Sequence, residues 1–330
     1  MLALALGPMV NADRPSTRPA ATYANPVARN LPDPHVIRHG DTYYAYGTNA
    51  PGEGYRVLVS KNLVDWQDRG FAFRKTATSW GREHFWAPCV IEHAGRFYLF
   101  YSSFGPVEGG KRSSHRICVA TADSPLGPFT DLAAPLLEIG KATIDAHAFV
   151  DEDGKAYLYY ALDHSENGRQ SHLYVVELSS DLTKVIGQPV FCTRPDAEWE
   201  GDEWNEAPFV FRHGDTYVMM YSARGFFDPR YALGYATAKS PLGPWTKSPL
   251  NPILARTPEV SGPGHNSVVP SPDGRELFCV YHVHRKLEGG HERDLAIDRM
   301  TVTTSSDGAV IVKISGPTKS PQPLPSGASR

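Results

Sequence analysis

Apolar and polar positions alternate in short runs along most of the chain, and the runs are broken by Gly, Pro, Asn and Asp. No long window shows the 3.6-residue spacing of an amphipathic helix, so the pattern predicts strands. One motif recurs: an apolar strand, a turn holding a glycine, then a strand rich in tyrosine. Its copies are His39–Tyr46, Gly95–Tyr101, Gly154–Tyr160, Gly214–Tyr221 and Gly274–Tyr281. The glycines Gly40, Gly95, Gly154, Gly214 and Gly274 lie 55 to 60 residues apart. A second repeat, Ser124-Pro125-Leu126-Gly127-Pro128-Phe129, returns as Ser240-Pro241-Leu242-Gly243-Pro244-Trp245.

Each unit holds about four strand-like runs; in the first they are 34–38, 42–47, 56–60 and 66–73. A single four-stranded sheet cannot bury both faces, so such units must pack side by side around an axis. Five units account for residues 21–316. The expected fold is therefore all-β, a five-bladed β-propeller of four-stranded antiparallel blades. A large β-sandwich is the competitor, but it does not require a period near 60. Residues 1–20 are expected to be disordered or the remnant of a signal segment, and the Pro/Ser-rich residues 317–330 to be a disordered tail.

Composition narrows the function classes. The net charge is −3, which argues against a phosphate-binding surface and hence against nucleic acid as a partner. No apolar run reaches the length of a membrane span, so no membrane partner is expected. The four cysteines, Cys89, Cys118, Cys192 and Cys279, form no C-x-x-C pair and are expected as buried free thiols. Val10 and Ala12 stand at −3 and −1 of a signal-cleavage pattern, which points to a secreted or periplasmic protein; a cytoplasmic location is the alternative.

The candidate chemistry lies at one phase of the repeat. Asp33 stands seven residues before Gly40, Asp145 nine before Gly154 and Glu206 eight before Gly214. The equivalent places in the second and fifth units hold Ala87, next to Trp86, and His265. In a propeller the first strand of every blade lines the central channel, so these positions share one mouth. Each acid has a plainer reading: Asp-Pro opens turns, Asp145 can cap one, and Glu206 ends an acidic stretch. Together they form a set of carboxylates suited to glycosidic cleavage. That reaction needs a protonated acid for the leaving oxygen and an ionised base for water, and a third carboxylate can raise the pKa of the acid.

These motifs resemble glycoside hydrolase family 43, from Asn25 to about Ser315. Asn25-Pro26 with Asp33-Pro34 resembles the first-blade motif, Trp86-Ala87-Pro88 the second, Ile144-Asp145 the third, Glu206-Ala207-Pro208 the fourth and Gly262-Pro263-Gly264-His265-Asn266 the fifth. Tyr281-His282 with Arg293 resembles the final-blade pattern. The resemblance implies an inverting enzyme with Asp33 as general base, Asp145 tuning and orienting the acid, and Glu206 as general acid. It further implies Trp86, His265 and Arg293 at the sugar, and a channel ion, calcium, beside His265; no cofactor is required for the chemistry. For Arg293 the plainer reading is a structural ion pair with Asp294 or Asp298.

The inserts 81–85, 104–114 and 194–205 are long enough to wall the mouth, which favours a pocket for terminal sugars. The expected activity is release of terminal α-L-arabinofuranosyl units from plant cell-wall polysaccharide or oligosaccharide, with β-xylosidase and endo-arabinanase as alternatives. Readings of another class are a non-catalytic glycan-binding propeller and a protein-interaction propeller with scattered acids.

Overall fold

The computed structural model describes residues 21–163 and 170–329. The expected segment 1–20, with its cleavage pattern, lies outside the described residues. After β1 (Thr22–Tyr23), five four-stranded antiparallel sheets follow in strict chain order. The first comprises β2 (His35–His39), β3 (Thr42–Tyr46), β4 (Gly54–Ser60) and β5 (Gln67–Arg74). The second comprises β6 (Glu83–His93), β7 (Arg96–Val107), β8 (Arg112–Ala122) and β9 (Thr130–Ala133). The third is β10 (Thr143–Val150), β11 (Ala156–Leu162), β12 (Leu173–Leu178) and β13 (Val190–Thr193). The fourth is β14 (Asn205–His213), β15 (Thr216–Ala223), β16 (Ala232–Ala238) and β17 (Thr246–Lys247). The fifth is β18 (Gly264–Pro270), β19 (Leu277–His284), β20 (Arg293–Thr304) and β21 (Val310–Ile314), and β22 (Gln322–Pro323) ends the fold. The chain is a five-bladed β-propeller.

The repeated glycine closes the first hairpin of each blade. All five adopt positive φ, between 60° and 81°. A Cβ built on any of them meets nothing within 4 Å, so the backbone conformation, not crowding, calls for glycine.

Burial explains why the blades need one another. Five apolar clusters form, one at each junction between neighbouring blades. Tyr46 and Val57 meet Val90 and Leu99 between blades one and two. Phe100 and Val119 meet Leu158 and Val176 between two and three. Tyr159 and Val175 meet Val210 and Met219 between three and four. Met220 and Tyr235 meet Cys279 and Tyr281 between four and five, and Phe278 and Val280 meet Val36 and Tyr43 across the closing junction. A sandwich would have one central core; a ring of five junction cores is what a period near 60 demands. The four cysteines are free and buried. The second repeat also has a junction role: the Pro125 and Pro241 carbonyls accept the hydroxyls of Tyr46 and Tyr159, each from the preceding blade.

The ring closes through its ends. Asn25 donates Nδ2 to the Ile297 carbonyl at 2.9 Å and accepts the Ile297 N–H at 3.0 Å. β1 pairs with β22, which overturns the expectation of a disordered tail. Proline and serine keep residues 317–329 from building a sheet of their own, but blades five and one supply partners. Thr318 donates to Asp298, the Ser326 N–H to Glu276, and the Ser329 carbonyl accepts from Asn62.

Candidate active site

The innermost strands of blades two to five carry a bulge near their start, and in blade one the same irregularity lies just before β2, between the Pro32–Thr48 and His35–Tyr46 pairs. The residues Asp33, Ala87, Asp145, Ala207 and His265 all have φ between 43° and 57°, a rare conformation for side-chain-bearing residues. In blade three Ile144 pairs with Ala161 and His147 with Tyr159, which leaves Asp145 and Ala146 as the bulge. In blade four Glu206 pairs with Ser222 and Phe209 with Met220, so the bulge there is Ala207 and Pro208. The sequence phase is thereby corrected. Asp33, Asp145 and His265 are equivalent to one another, but Glu206 stands one residue earlier, at the place held by Trp86 in blade two and Gly264 in blade five. The glycine count misses this because a bulge takes up residues without lengthening the partner strand.

A ring of hydrogen bonds locks the bulges together. The bulge N–H of each blade donates to a side chain from the preceding blade: Ala87 to Thr48 Oγ1 at 2.9 Å, Asp145 to Ser102 Oγ at 3.0 Å, His265 to Ser222 Oγ at 2.8 Å and Asp33 to His282 Nδ1 at 3.1 Å. At the junction of blades three and four the position equivalent to Ser102 and Ser222 is Ala161, which has no acceptor. There the Ala207 N–H donates to Asp145 Oδ2 at 3.1 Å instead.

Above this ring lies a cavity of about 520 Å³, within the size range of small-molecule sites, and Asp33, Asp145, Glu206 and His265 line it. The three acids therefore converge on one pocket rather than scattering over the surface. All three are at least nine-tenths buried. Asp33 accepts Thr48 Oγ1 at 2.6 Å and the Arg293 guanidinium, and His265 Nδ1 lies 3.3 Å away. Burial pushes the Asp33 carboxyl up, but Arg293, His265 and Thr48 outweigh it and hold the pKa below the ordinary carboxylate value. Glu206 faces the opposite balance. Burial raises its pKa to about 8, against the Tyr231 hydroxyl that donates to Oε1 at 2.7 Å, while the charge of Asp33 adds to the rise. Asp145 is also raised, by burial and then by Glu206 and Asp33. The pocket floor thus offers one ionised carboxylate and a proton held between the other two.

Trp86 lines the cavity and is stacked on His115 and His84, with ring centroids 4.4 Å and 4.8 Å away. His115 pairs in turn with Asp163 at 3.2 Å. Arg293 lies over the Phe226 ring at 4.4 Å and pairs with Asp33. Asp294 is paired with Arg29 and Arg285, and Asp298 with Tyr281 and Thr318, so the structural pair weighed for Arg293 does not form. Of the three inserts expected to wall the mouth, only 194–205 reaches the lining, through Trp204. Residues 104–114 extend the hairpin of β7 and β8. Asn49, Pro51, Phe226, Phe227 and His291 add to the wall.

The side chains around His265 decide whether the implied calcium fits. Beneath the pocket floor the channel is lined by His35, Cys89, His147, Phe209 and Asn266. His35 Nε2 and His147 Nε2 donate to the Val90 and Val210 carbonyls at 3.0 Å and 3.1 Å. Burial pushes His265, His35 and His147 down to about 4, 4 and 3, so all three rings are neutral. Calcium takes six to eight oxygen ligands. The channel side chains offer imidazoles, a thiol, the Asn266 amide and one carboxylate, Asp145, which is itself bonded to the Ala207 N–H; this donor set does not fit calcium.

Thr48, Ser102 and Tyr231 were not singled out from the sequence. Thr48 and Ser102 follow the tyrosines of the repeat, a signal that was present; nothing in the pattern marks Tyr231.

Comparison with known proteins agrees with the geometry. The signature of Glycosyl hydrolases family 43 matches residues 23–308. A solved structure described as a thermostable family-43 glycoside hydrolase superposes with a TM-score of 0.86 at 45% identity, covering 93% of this chain and 100% of that one. An extracellular exo-α-(1→5)-L-arabinofuranosidase of Streptomyces avermitilis is 27% identical over 84% of this chain and 60% of its own length. A β-xylosidase of Bacillus subtilis is 29% identical over 74% of this chain and 46% of its own. The chain spans about half to three-fifths of these two relatives.

Proposed function

The chain belongs to glycosyl hydrolases family 43, and on that premise we propose that its pocket releases terminal α-L-arabinofuranosyl units from plant polysaccharide or oligosaccharide with inversion at the anomeric carbon. The observation that carries this reading is the contrast between two buried carboxylates on one pocket floor. Asp33 sits against a guanidinium, and Glu206 sits against a neutral tyrosine hydroxyl.

Glu206, protonated near neutral pH, gives its proton to the glycosidic oxygen as the bond to the anomeric carbon breaks. Asp33, ionised, takes a proton from the water that attacks the opposite face of the sugar. Asp145, held by the Ala207 N–H, shares the retained proton with Glu206: the two buried carboxyls cannot both ionise, and this keeps a proton available to the acid until the leaving oxygen arrives. Arg293 holds Asp33 ionised and fixes its direction. Trp86 offers an aromatic face to the apolar side of a sugar ring. After turnover the proton gained by Asp33 and the one lost by Glu206 are exchanged with solvent.

A β-xylosidase is the second reading, supported by the named Bacillus relative. The names of the Streptomyces relatives, extracellular enzymes, support a secreted location. The deciding experiment is hydrolysis of aryl α-L-arabinofuranoside and aryl β-D-xyloside by wild type and Glu206→Gln, with the first-formed anomer followed by proton NMR. Turnover that falls by about 10²–10⁴ in the variant, with inverted product, supports the reading. A retained anomer, or a variant as active as wild type, overturns it.

A further inference from the structure

We infer that Ala161 is a positioning residue: the absence of a hydroxyl at this one place in the ring makes the Asp145 carboxylate the acceptor of the Ala207 N–H and thereby couples Asp145 to Glu206. The inference rests on the catalytic reading above and adds a residue that touches no substrate.

The argument is a comparison of five equivalent junctions. In each blade the second strand, or in blade one the segment directly after it, places one residue opposite the residue before the bulge: Thr48, Ser102, Ala161, Ser222 and His282. Four of these side chains accept the bulge N–H of the next blade, at 2.8–3.1 Å. Blade one shows what a hydroxyl does when the bulge residue is itself an acid. Thr48 donates to Asp33 Oδ2 at 2.6 Å and accepts the Ala87 N–H at 2.9 Å, so the hydroxyl stands between that carboxylate and the next blade. Blade three has the same bulge acid, Asp145, but alanine in place of the threonine. The carboxylate therefore reaches the next blade itself and bonds the Ala207 N–H at 3.1 Å. Ala207 follows Glu206 directly, so the same bond draws the Asp145 carboxyl towards the general acid.

Other groups facing Asp145 do not replace this contact. Asp33 and Asp163 repel it from blade one and from the end of β11, and the Tyr55 and Tyr231 hydroxyls are neutral. Ala161 is fully buried among Tyr159, Leu173 and Tyr221, and a serine adds one oxygen at a position where blades two and four already carry serine.

The test is Ala161→Ser, with Ala161→Cys as a control of similar volume and poor acceptor strength. In the serine variant the Ala207 N–H turns to the new hydroxyl and Asp145 moves back behind it. The alkaline limb of kcat/KM, set by Glu206, then shifts to lower pH by about half a unit or more, while the limb set by Asp33 stays in place. The cysteine variant keeps the wild-type limb. Infrared difference titration of the carboxyl bands, which needs no substrate, shows the Asp145 and Glu206 transitions drawing apart in the serine variant alone. This readout separates failure of the inference from failure of the glycosidase reading. An unmoved alkaline limb and unmoved carboxyl bands overturn the inference, as does an equal shift in the cysteine variant. A serine variant that does not fold overturns it too, because equivalence with Ser102 and Ser222 is its premise.

Discussion

Replacing Tyr231 by phenylalanine removes the largest force that opposes protonation of Glu206 and leaves the smaller one, the charge of Arg293, in place. The Tyr231 ring lies parallel to His282, with centroids 5.5 Å apart and 5° between planes, and Gly264 presses on its edge. A Cβ at Gly264 would lie 2.2 Å from Tyr231 Cε1, so the ring is held on both sides and a phenylalanine keeps its place. What is lost is the hydroxyl that donates to Glu206 Oε1 at 2.7 Å. A hydrogen bond to a charged group contributes about 1.5–3 kcal/mol, and about 1.4 kcal/mol corresponds to one pK unit, so the Glu206 pKa rises by about one to two units. Burial, the largest cause of its present value near 8, is unchanged. The assay is kcat/KM for an aryl glycoside between pH 4 and 10. The alkaline limb moves up by that amount, the acid limb stays, and activity at the optimum falls because a weaker acid delivers its proton less readily. An alkaline limb that stays put or moves down, in a variant with unchanged thermal unfolding, refutes the assignment of Glu206 as the acid held by this tyrosine.

Arg293→Met removes the main group that lowers the Asp33 pKa, so the acid limb of the same profile rises; Arg293→Lys restores part of the shift but loses the planar contact with Phe226. Glu206→Gln stabilises the fold at alkaline pH. The carboxyl is raised from 4.5 to about 8 on folding, so its contribution is fully present below the ordinary value and is lost as pH rises through the folded one. Urea midpoints of variant and wild type should agree near pH 4 and diverge in favour of glutamine at pH 8. Asn25→Ala breaks both bonds to Ile297 and lowers stability by about 2–3 kcal/mol in urea unfolding; a change near zero would mean that β1 and β22 close the ring without it.

The repeat was legible because one physical need recurs five times: a tight turn demands positive φ, and the following strand must fill a junction. Glycine and tyrosine record these needs directly. The site was legible to within one residue. Asp33 and Asp145 fall where the glycine count places them, whereas Glu206 is displaced because the count cannot see where a bulge begins. The tail 317–329 was misread for a related reason. Its proline and serine content describes what the segment cannot do alone, while its order comes from Asp298, Glu276 and Asn62, which lie far off in sequence. The wall of Phe226, Phe227 and His291 was invisible because no local pattern says which loops a ring will bring together.

Every blade is drawn from one unbroken stretch of chain, and the ring is sealed where Thr22 and Tyr23 lie beside Gln322 and Pro323. The order in which the blades are read out is therefore arbitrary with respect to the circle they make. Joining the paired ends and opening the chain in any loop between two blades would leave all five sheets, all five junction cores and the locked ring of bulges intact. Circular permutation should thus be a mild operation here. The carboxylates, contributed by blades one, three and four, would keep their mutual positions whichever blade is made first.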